Sequence, residues 1–452
     1  MSNFRLIDRE TGFLMPPSVD EWLPERHLAR FVVEIIGQLD LAAMTSRYRG
    51  SGEQSYHPEL LLGLIVYGYA TGVFSSRKLE RATYDSVAFR FVAANEHPDH
   101  DTIANFRRRF LKQIEALFVQ VLGLAREMGV LKLGTVALDG TKIHANASRH
   151  SALSNEHANK IEAQLQAEVA RLLALGEAAD RADVPDGMNI PEELARRQTR
   201  LAAIAAAKTK IEARAKERHA REQADYEAKQ ARQEAKRAAG KKPGGRPLKE
   251  PVAGPLPSDQ VNLTDEESRI MPVAGGGYEQ CYNAQAAVAA DSLLVVAADV
   301  TQATNDKQQV EPMLAKIGDL PDELGKVEDL LADCGYFSEA NVNACAAAGI
   351  EPVIATGREV HHPSLEERHA AAPPAPGNPT PLAEMRHRLK TPAGKKRYAL
   401  RKQVVEPVFG IIKSVLGFRQ CLLRGLDQVR GEWSLVTMSW NIKRMFVLAA
   451  AC

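Results

Sequence analysis

Three acidic residues occupy settings that suit chemistry better than simple solvation. Asp139 closes the apolar run of TVALDGTKIH (residues 135–144), and Asp333 closes that of VEDLLADCGYF (residues 327–337). A glycine follows each, Gly140 directly and Gly335 two residues on. Both runs read as buried strands, so each aspartate is expected at a strand end. Glu406 lies instead in KKRYALRKQVVEPVFGIIKSVLGFRQ (residues 395–420), where Tyr398, Lys402, Glu406 and Lys413 recur at helical spacing and share one face, with Pro407 a candidate kink. A lone Asp-Gly is ordinary turn chemistry. Two such aspartates and a glutamate set among bases are another matter. Hard Mg²⁺ prefers carboxylate oxygens, and two ions about 3.5–4 Å apart stabilise both the attacking and the leaving oxygen at a phosphodiester.

Charge supports a polyanionic partner, but only locally. The chain of 452 residues has a formal net charge of +1, which excludes a global basic bias. Between Leu382 and Arg444, however, fourteen Lys or Arg face four Asp or Glu. A phosphate backbone would feel that excess. The five cysteines, Cys281, Cys334, Cys345, Cys421 and Cys452, form no C-x-x-C pair, and no signal pattern precedes MSNFRLIDRE, so a reducing cytosol and no zinc knuckle are expected. The most apolar stretch, LLLGLIVYGYATGVF (residues 60–74), is shorter than a membrane span and reads as a core helix.

Three textures must position these groups. Residues 1–130 read as helical: PELLLGLIVYGYATG, a short turn, then a helix capped at Ser76, giving a helix-turn-helix-like pair. A third helix, capped at Asp101 or Thr102, carries Ile103, Phe106, Phe110, Ile114, Phe118, Val121 and Leu124 on one stripe, and Arg107 and Arg109 are expected to face away from it. Arg77 and Lys78, with Arg107, Arg108 and Arg109, are therefore candidate DNA contacts. Residues 151–260 are Ala-rich and charge-alternating around the breaker DVPDGMNIP (residues 183–191), a helical hairpin with a seam of Leu194, Leu201, Ile204 and Ile211 against Ile161, Leu165, Val169 and Leu172. Lys208 interrupts that seam, and the Pro- and Gly-rich linker GKKPGGRPLKEPVAGPLP (residues 240–257) follows it. Strand signals then alternate with helices to EPVIAT at 351–356, so an α/β fold is expected: a mixed sheet with helices on its faces and the hairpin inserted after its first strand. Trp433 and Trp440 read as core residues, and His144 and His150 as surface or supporting residues.

At these residues the sequence resembles the insertion-sequence transposases of the aspartate-aspartate-glutamate (DDE) class. The phrases that carry it are LDGTKIHANAS, NLTDEESRIM with GYEQCYNAQAAV, ADCGYFSEANV and RYALRKQVVEPVFGIIKSVLGFRQ, in that order, with YGYATGVFSSRKLERA and PDHDTIANFRRRF in the N-terminal part. The resemblance implies a ribonuclease H-like catalytic core in residues 131–150 and 261–452, an all-α DNA-binding domain in 1–130, and a hairpin insertion with linker in 151–260. It implies a catalytic and metal-binding triad of Asp139, Asp333 and Glu406, with Mg²⁺ as cofactor and Mn²⁺ as a substitute. Its partners would be double-stranded DNA, as element ends and target, and further copies of the chain, in a bacterial cytoplasm with no membrane. The family's tyrosine-arginine-glutamate-lysine signature falls on Tyr398, Arg401, Glu406 and Lys413. Four residues separate Arg401 from Glu406 where three are usual, so Lys402 stands at the regular spacing and either base is a candidate for phosphate contact. A haloacid-dehalogenase-type phosphatase is excluded because its nucleophilic aspartate would fall on Ala137. An inactive, transposase-derived DNA-binding protein would share the fold, but all three acids are retained here.

Overall fold

The computed structural model describes residues 18–48, 55–179, 189–240, 247–357, 373–377 and 379–450. The opening MSNFRLIDRE, most of the breaker at 183–188, the start of the linker at 241–246 and Cys452 lie outside the described residues. The chain forms two compact units, residues 145–280 and the remainder, 1–144 with 281–452. The helices expected to stand apart up to residue 130 thus share a unit with the sheet.

The N-terminal helices are α1 (Leu28–Gly37), α2 (Ala42–Thr45), α3 (Pro58–Thr71), α4 (Ser76–Asp85), α5 (Val87–Val92) and α6 (His100–Glu127). α3 begins with Pro58, whose missing N–H costs nothing in a first turn, and stops at Gly72, which takes a φ of +84°. Residues Leu61 to Ala70 are buried all round it, which makes it a core helix. Two capping expectations are corrected. Ser75, not Ser76, precedes α4, and Ser76 is buried; α6 starts earlier than expected because Asp99 accepts the Thr102 N–H at 2.8 Å.

A third correction concerns Arg107, which is buried instead of facing away from the apolar stripe. Its guanidinium donates to the Tyr69 hydroxyl (3.0 Å) and to the Phe74 carbonyl (3.1 Å). The Tyr69 hydroxyl donates in turn to Glu432 Oε1 at 3.0 Å, and Glu432 Oε2 accepts the Leu422 and Leu423 N–H groups. A fully buried carboxylate needs a counter-charge, and Arg107 supplies it.

Strand β1 (Gly134–His144) leads into residues 145–280. There the short strands β2 (Ala152–Ser154) and β3 (Gln260–Asn262) pair antiparallel beside helices α7 (Asn155–Ala179) and α8 (Ile190–Ala238), and β4 (Arg269–Pro272) follows. Leu153, Ala158, Leu165, Ile204, Ala207, Ile211 and Val261 form one core, with Ile161 and Leu201 against it. Lys208 does not break this seam, because its ammonium pairs with Glu162 at 2.6 Å.

The sheet is completed by β5 (Tyr278–Ala289), β6 (Val295–Thr301), β7 (Val327–Ala332) and β8 (Glu351–Ile354). β1 lies between β5, antiparallel, and β7, parallel; β6 pairs with β5 and β8 with β7. Helices α9 (Val310–Gly318) and α10 (Glu339–Ala347) make the crossovers that the parallel strands require. This is a mixed sheet flanked by helices. Helices α11 (Pro381–Arg388), α12 (Pro392–Gly410) and α13 (Leu426–Ala449) follow. α13 packs on β6, α3 and α6 and buries both Trp433 and Trp440, whose indole N–H groups donate to the carbonyls of Gln285 and Leu293.

Candidate active site

Asp139 is not at a strand end. β1 runs five residues further, and Gly140 pairs with Gln285 inside the β1–β5 ladder without a positive φ. What ends is the other neighbour: the β1–β7 register stops at Ala137 and Leu331, so Asp139 lies just past the last parallel pair. Asp333 lies in the corresponding place after β7, where its carboxylate accepts the Gly335 N–H at 2.8 Å and caps a 3₁₀ turn, Cys334–Tyr336. Two adjacent parallel strands therefore deliver both aspartates to the same end of the sheet.

The third acid comes from α12. This helix is capped by Thr391, and Gly394 lets it pass close to the preceding turn: a Cβ there would sit 1.9 Å from the Arg388 carbonyl oxygen. Two turns on, Arg401 points inward with only 11% of its side chain exposed. Its guanidinium lies 3.5 Å from Asp139 Oδ2 and 3.4 Å from Glu406 Oε1, so one cation spans the first and third acids. Glu406 is 53% exposed and Asp139 19%. The glutamate forms the open rim.

Burial pushes the Asp139 carboxyl up to about 7; the Gly140 N–H, at 2.8 Å, opposes this, Asp333 and Asp306 add to it, and Arg401 counters them. Burial is thus the main cause of the shift, and the neighbouring carboxylates are a lesser one. A donor set of carboxylate oxygens is of the type a hard divalent cation prefers. Among the described residues no three Asp, Glu, His or Cys side chains are gathered closely enough to hold an ion together. Arg401 is the positive charge between Asp139 and Glu406 here.

Beyond α12 the chain makes a π turn, Ile411–Val415, which carries Lys413. The Lys413 ammonium donates to Thr141 Oγ1 and to the Lys142 carbonyl, both at 3.0 Å, and its burial lowers its pKa. Lys402 takes a different direction, and Tyr398 interacts electrostatically with Arg401. With Lys395, Leu389, Ala355 and Thr356, Tyr398 and Lys402 line a cleft of about 300 Å³. Of the two candidate bases, Arg401 faces the acids and Lys402 the cleft and solvent.

Two family models match this chain: a transposase domain (DUF772) over residues 17–109, and a transposase DDE domain over residues 257–442. The chain belongs to the insertion-sequence DDE transposases. No match to it is found among curated proteins or solved structures. Membership makes this transposase a metal-dependent polynucleotidyl transferase or nuclease by class, with Mg²⁺ the usual ion. The DDE match takes in Asp333, Tyr398, Arg401, Lys402, Glu406 and Lys413, whereas Asp139 precedes it on the far side of the hairpin.

The transposase's N-terminal bases divide into two kinds. Arg77 and Lys78 are exposed at the start of α4. Arg108 is exposed beside Asn105, and Arg109 donates to the Arg47 carbonyl at 2.8 Å while stacking over Tyr48 and Phe110. Arg107, held inside, drops out of the outward-facing set. His144 is tied through its backbone to Arg419 and Cys421.

Sequence reading missed a polar group beside Asp139, comprising Asn283, Gln285, Asp306 and Tyr336. Its signal lies in YNAQAAV: two amides at period two on one face of an otherwise apolar strand are too costly to bury without partners.

Proposed function

We propose that the transposase binds the ends of its own element, cleaves the phosphodiester there and joins the freed 3′-hydroxyl to target DNA, using one site built on Asp139, Asp333 and Glu406. The observation that supports this most directly is the Arg401 guanidinium spanning Asp139 and Glu406, beside an Asp333 delivered by the neighbouring strand. The strand order β6-β5-β1-β7-β8, three antiparallel then two parallel, supports a ribonuclease H-like core.

On this reading Asp139 and Asp333, with the exposed Glu406, would hold the divalent cation. Bound there, Mg²⁺ or Mn²⁺ supplies Lewis-acid charge at the phosphate and lowers the pKa of the attacking water or hydroxyl. Arg401, beside both acids, would orient a phosphate oxygen. Lys413 holds the strand segment that follows Asp139, and Tyr398 and Lys402 contact the DNA backbone along the cleft. Arg77 and Lys78 on α4 read base edges of the terminal repeat. Joining two ends requires more than one copy of the chain.

The test uses duplexes carrying the genomic sequence on either side of the gene. Asp139→Asn, Asp333→Asn and Glu406→Gln are each expected to bind such ends as wild type does and to cleave them about a thousandfold more slowly, the loss of roughly 4 kcal/mol of transition-state stabilisation. Wild-type cleavage by Asp333→Asn in Mg²⁺ would refute the assignment.

A further inference from the structure

Gln285 is fully buried on β5, opposite Gly140, and every polar atom of its side chain is engaged. Its Nε2 donates to Asp306 Oδ1 at 2.7 Å and to Asn283 Oδ1 at 3.1 Å. Its Oε1 accepts the Tyr336 hydroxyl. Tyr336, itself buried, is the last residue of the 3₁₀ turn that Asp333 caps. One carboxamide therefore links β5, the loop after β6 and the turn that carries the second acid.

Other contacts close the same ring. The Asn283 amide donates to Asp306 Oδ1 at 2.7 Å and to the Ala303 carbonyl at 3.2 Å. On the opposite side the Asn341 amide donates to the Lys307 carbonyl (2.8 Å) and the Tyr336 carbonyl (2.6 Å). The loop around Asp306 is thus stitched twice to the Asp333 turn. Gly140 shows how closely the ring lies against the first acid: a Cβ there would sit 2.3 Å from Gln285 Nε2 and 2.6 Å from Asp306 Oδ1. The glycine after Asp139 is needed for this close approach and not for a turn.

We infer that Gln285, with Asp306 and Tyr336, is a positioning clamp that fixes Asp333 relative to Asp139, acting through the Cys334–Tyr336 turn and Gly140. None of the three need touch DNA or metal. The clamp rests on the proposed cleavage function, because spacing between two carboxylates matters only if they act together. Its physical basis is that buried amides in a fully satisfied network hold one geometry, and a displacement near 1 Å of a catalytic group costs about a hundredfold in rate.

The test reverses the polarity of one hydrogen bond. Gln285→Glu sets two carboxylates against each other, and is expected to slow end cleavage about a hundredfold while the dissociation constant for the same duplex stays within about threefold of wild type. Gln285→Glu combined with Asp306→Asn restores a donor facing an acceptor at the contact between residues 285 and 306 and keeps the acceptor for Tyr336, while the contact with Asn283 Oδ1 stays unrepaired, so it should recover part of the lost rate. Tyr336→Phe, which removes one hydroxyl and keeps the ring, should slow cleavage without weakening binding; it serves if Gln285→Glu does not fold. A merely packing role would give no recovery in the double variant. Wild-type cleavage by Gln285→Glu and Tyr336→Phe, in an assay where Asp139→Asn is inert, would overturn the clamp and leave the function standing. A wild-type protein that leaves end DNA intact would overturn the function and the positioning role with it.

Discussion

At the scale of single residues, Asp139 is an acid whose environment departs far from water. A carboxyl with a pKa near 7 in the folded chain, against an ordinary 3.8, binds its proton more tightly folded than unfolded. Its contribution to stability is therefore fully present below about pH 4 and is lost as the pH rises through about 7. Asp139→Asn cannot titrate and lacks this response. In chelator, the stability of Asp139→Asn relative to wild type is expected to increase by up to about 4 kcal/mol between pH 4 and pH 9. Denaturant midpoints for both proteins across that range check it. Parallel curves would mean that Asp139 is solvated and ordinary.

Among the elements, the buried chain Arg107, Tyr69 and Glu432 ties α6, α3 and α13 to one another. Burial raises the pKa of Glu432, and Arg107 offsets part of that. Removing the cation leaves a carboxylate uncompensated in the core. Arg107→Ala is expected to cost about 3–5 kcal/mol and to leave the preference for end DNA over unrelated DNA unchanged in whatever fraction is folded. Chemical denaturation and competition binding measure the two effects. Loss of end preference with intact stability would show Arg107 at the DNA instead. The hairpin is built differently: its seam includes Leu153 and Val261 from the strands at its base.

For the whole molecule, the near-zero net charge means that DNA affinity has to arise from segregated bases. Lys402 faces the cleft and solvent, so Lys402→Ala should weaken end and unrelated DNA alike and reduce the slope of log K against log salt by about one ion. Arg77→Ala, on exposed α4, should instead narrow the gap between the two DNAs. A salt-titrated binding series on both duplexes separates these outcomes. If Lys402→Ala removed end preference while Arg77→Ala kept it, recognition would belong to the α12 region.

Local sequence determined which residues could do chemistry and which elements would carry them. Apolar runs ending in Asp139 and Asp333, helical spacing around Glu406, the alternation of strands and helices and the Ala-rich hairpin all follow from side-chain period and turn chemistry, which are short-range properties. What neighbours across the sheet decide was not legible there. Asp139 lies within a continuing strand because β5, more than 140 residues away, supplies its ladder, and only the loss of the β7 partner uncovers it. Arg401 and Lys402 are adjacent in sequence, but helical rotation sends one to the acids and the other to the cleft. Arg107 turned inward because Glu432, on a distant helix, needed its charge. Gly140 read as a turn residue and is instead the gap through which the Gln285 and Asp306 side chains approach the strand, a close contact between elements that no local spacing encodes.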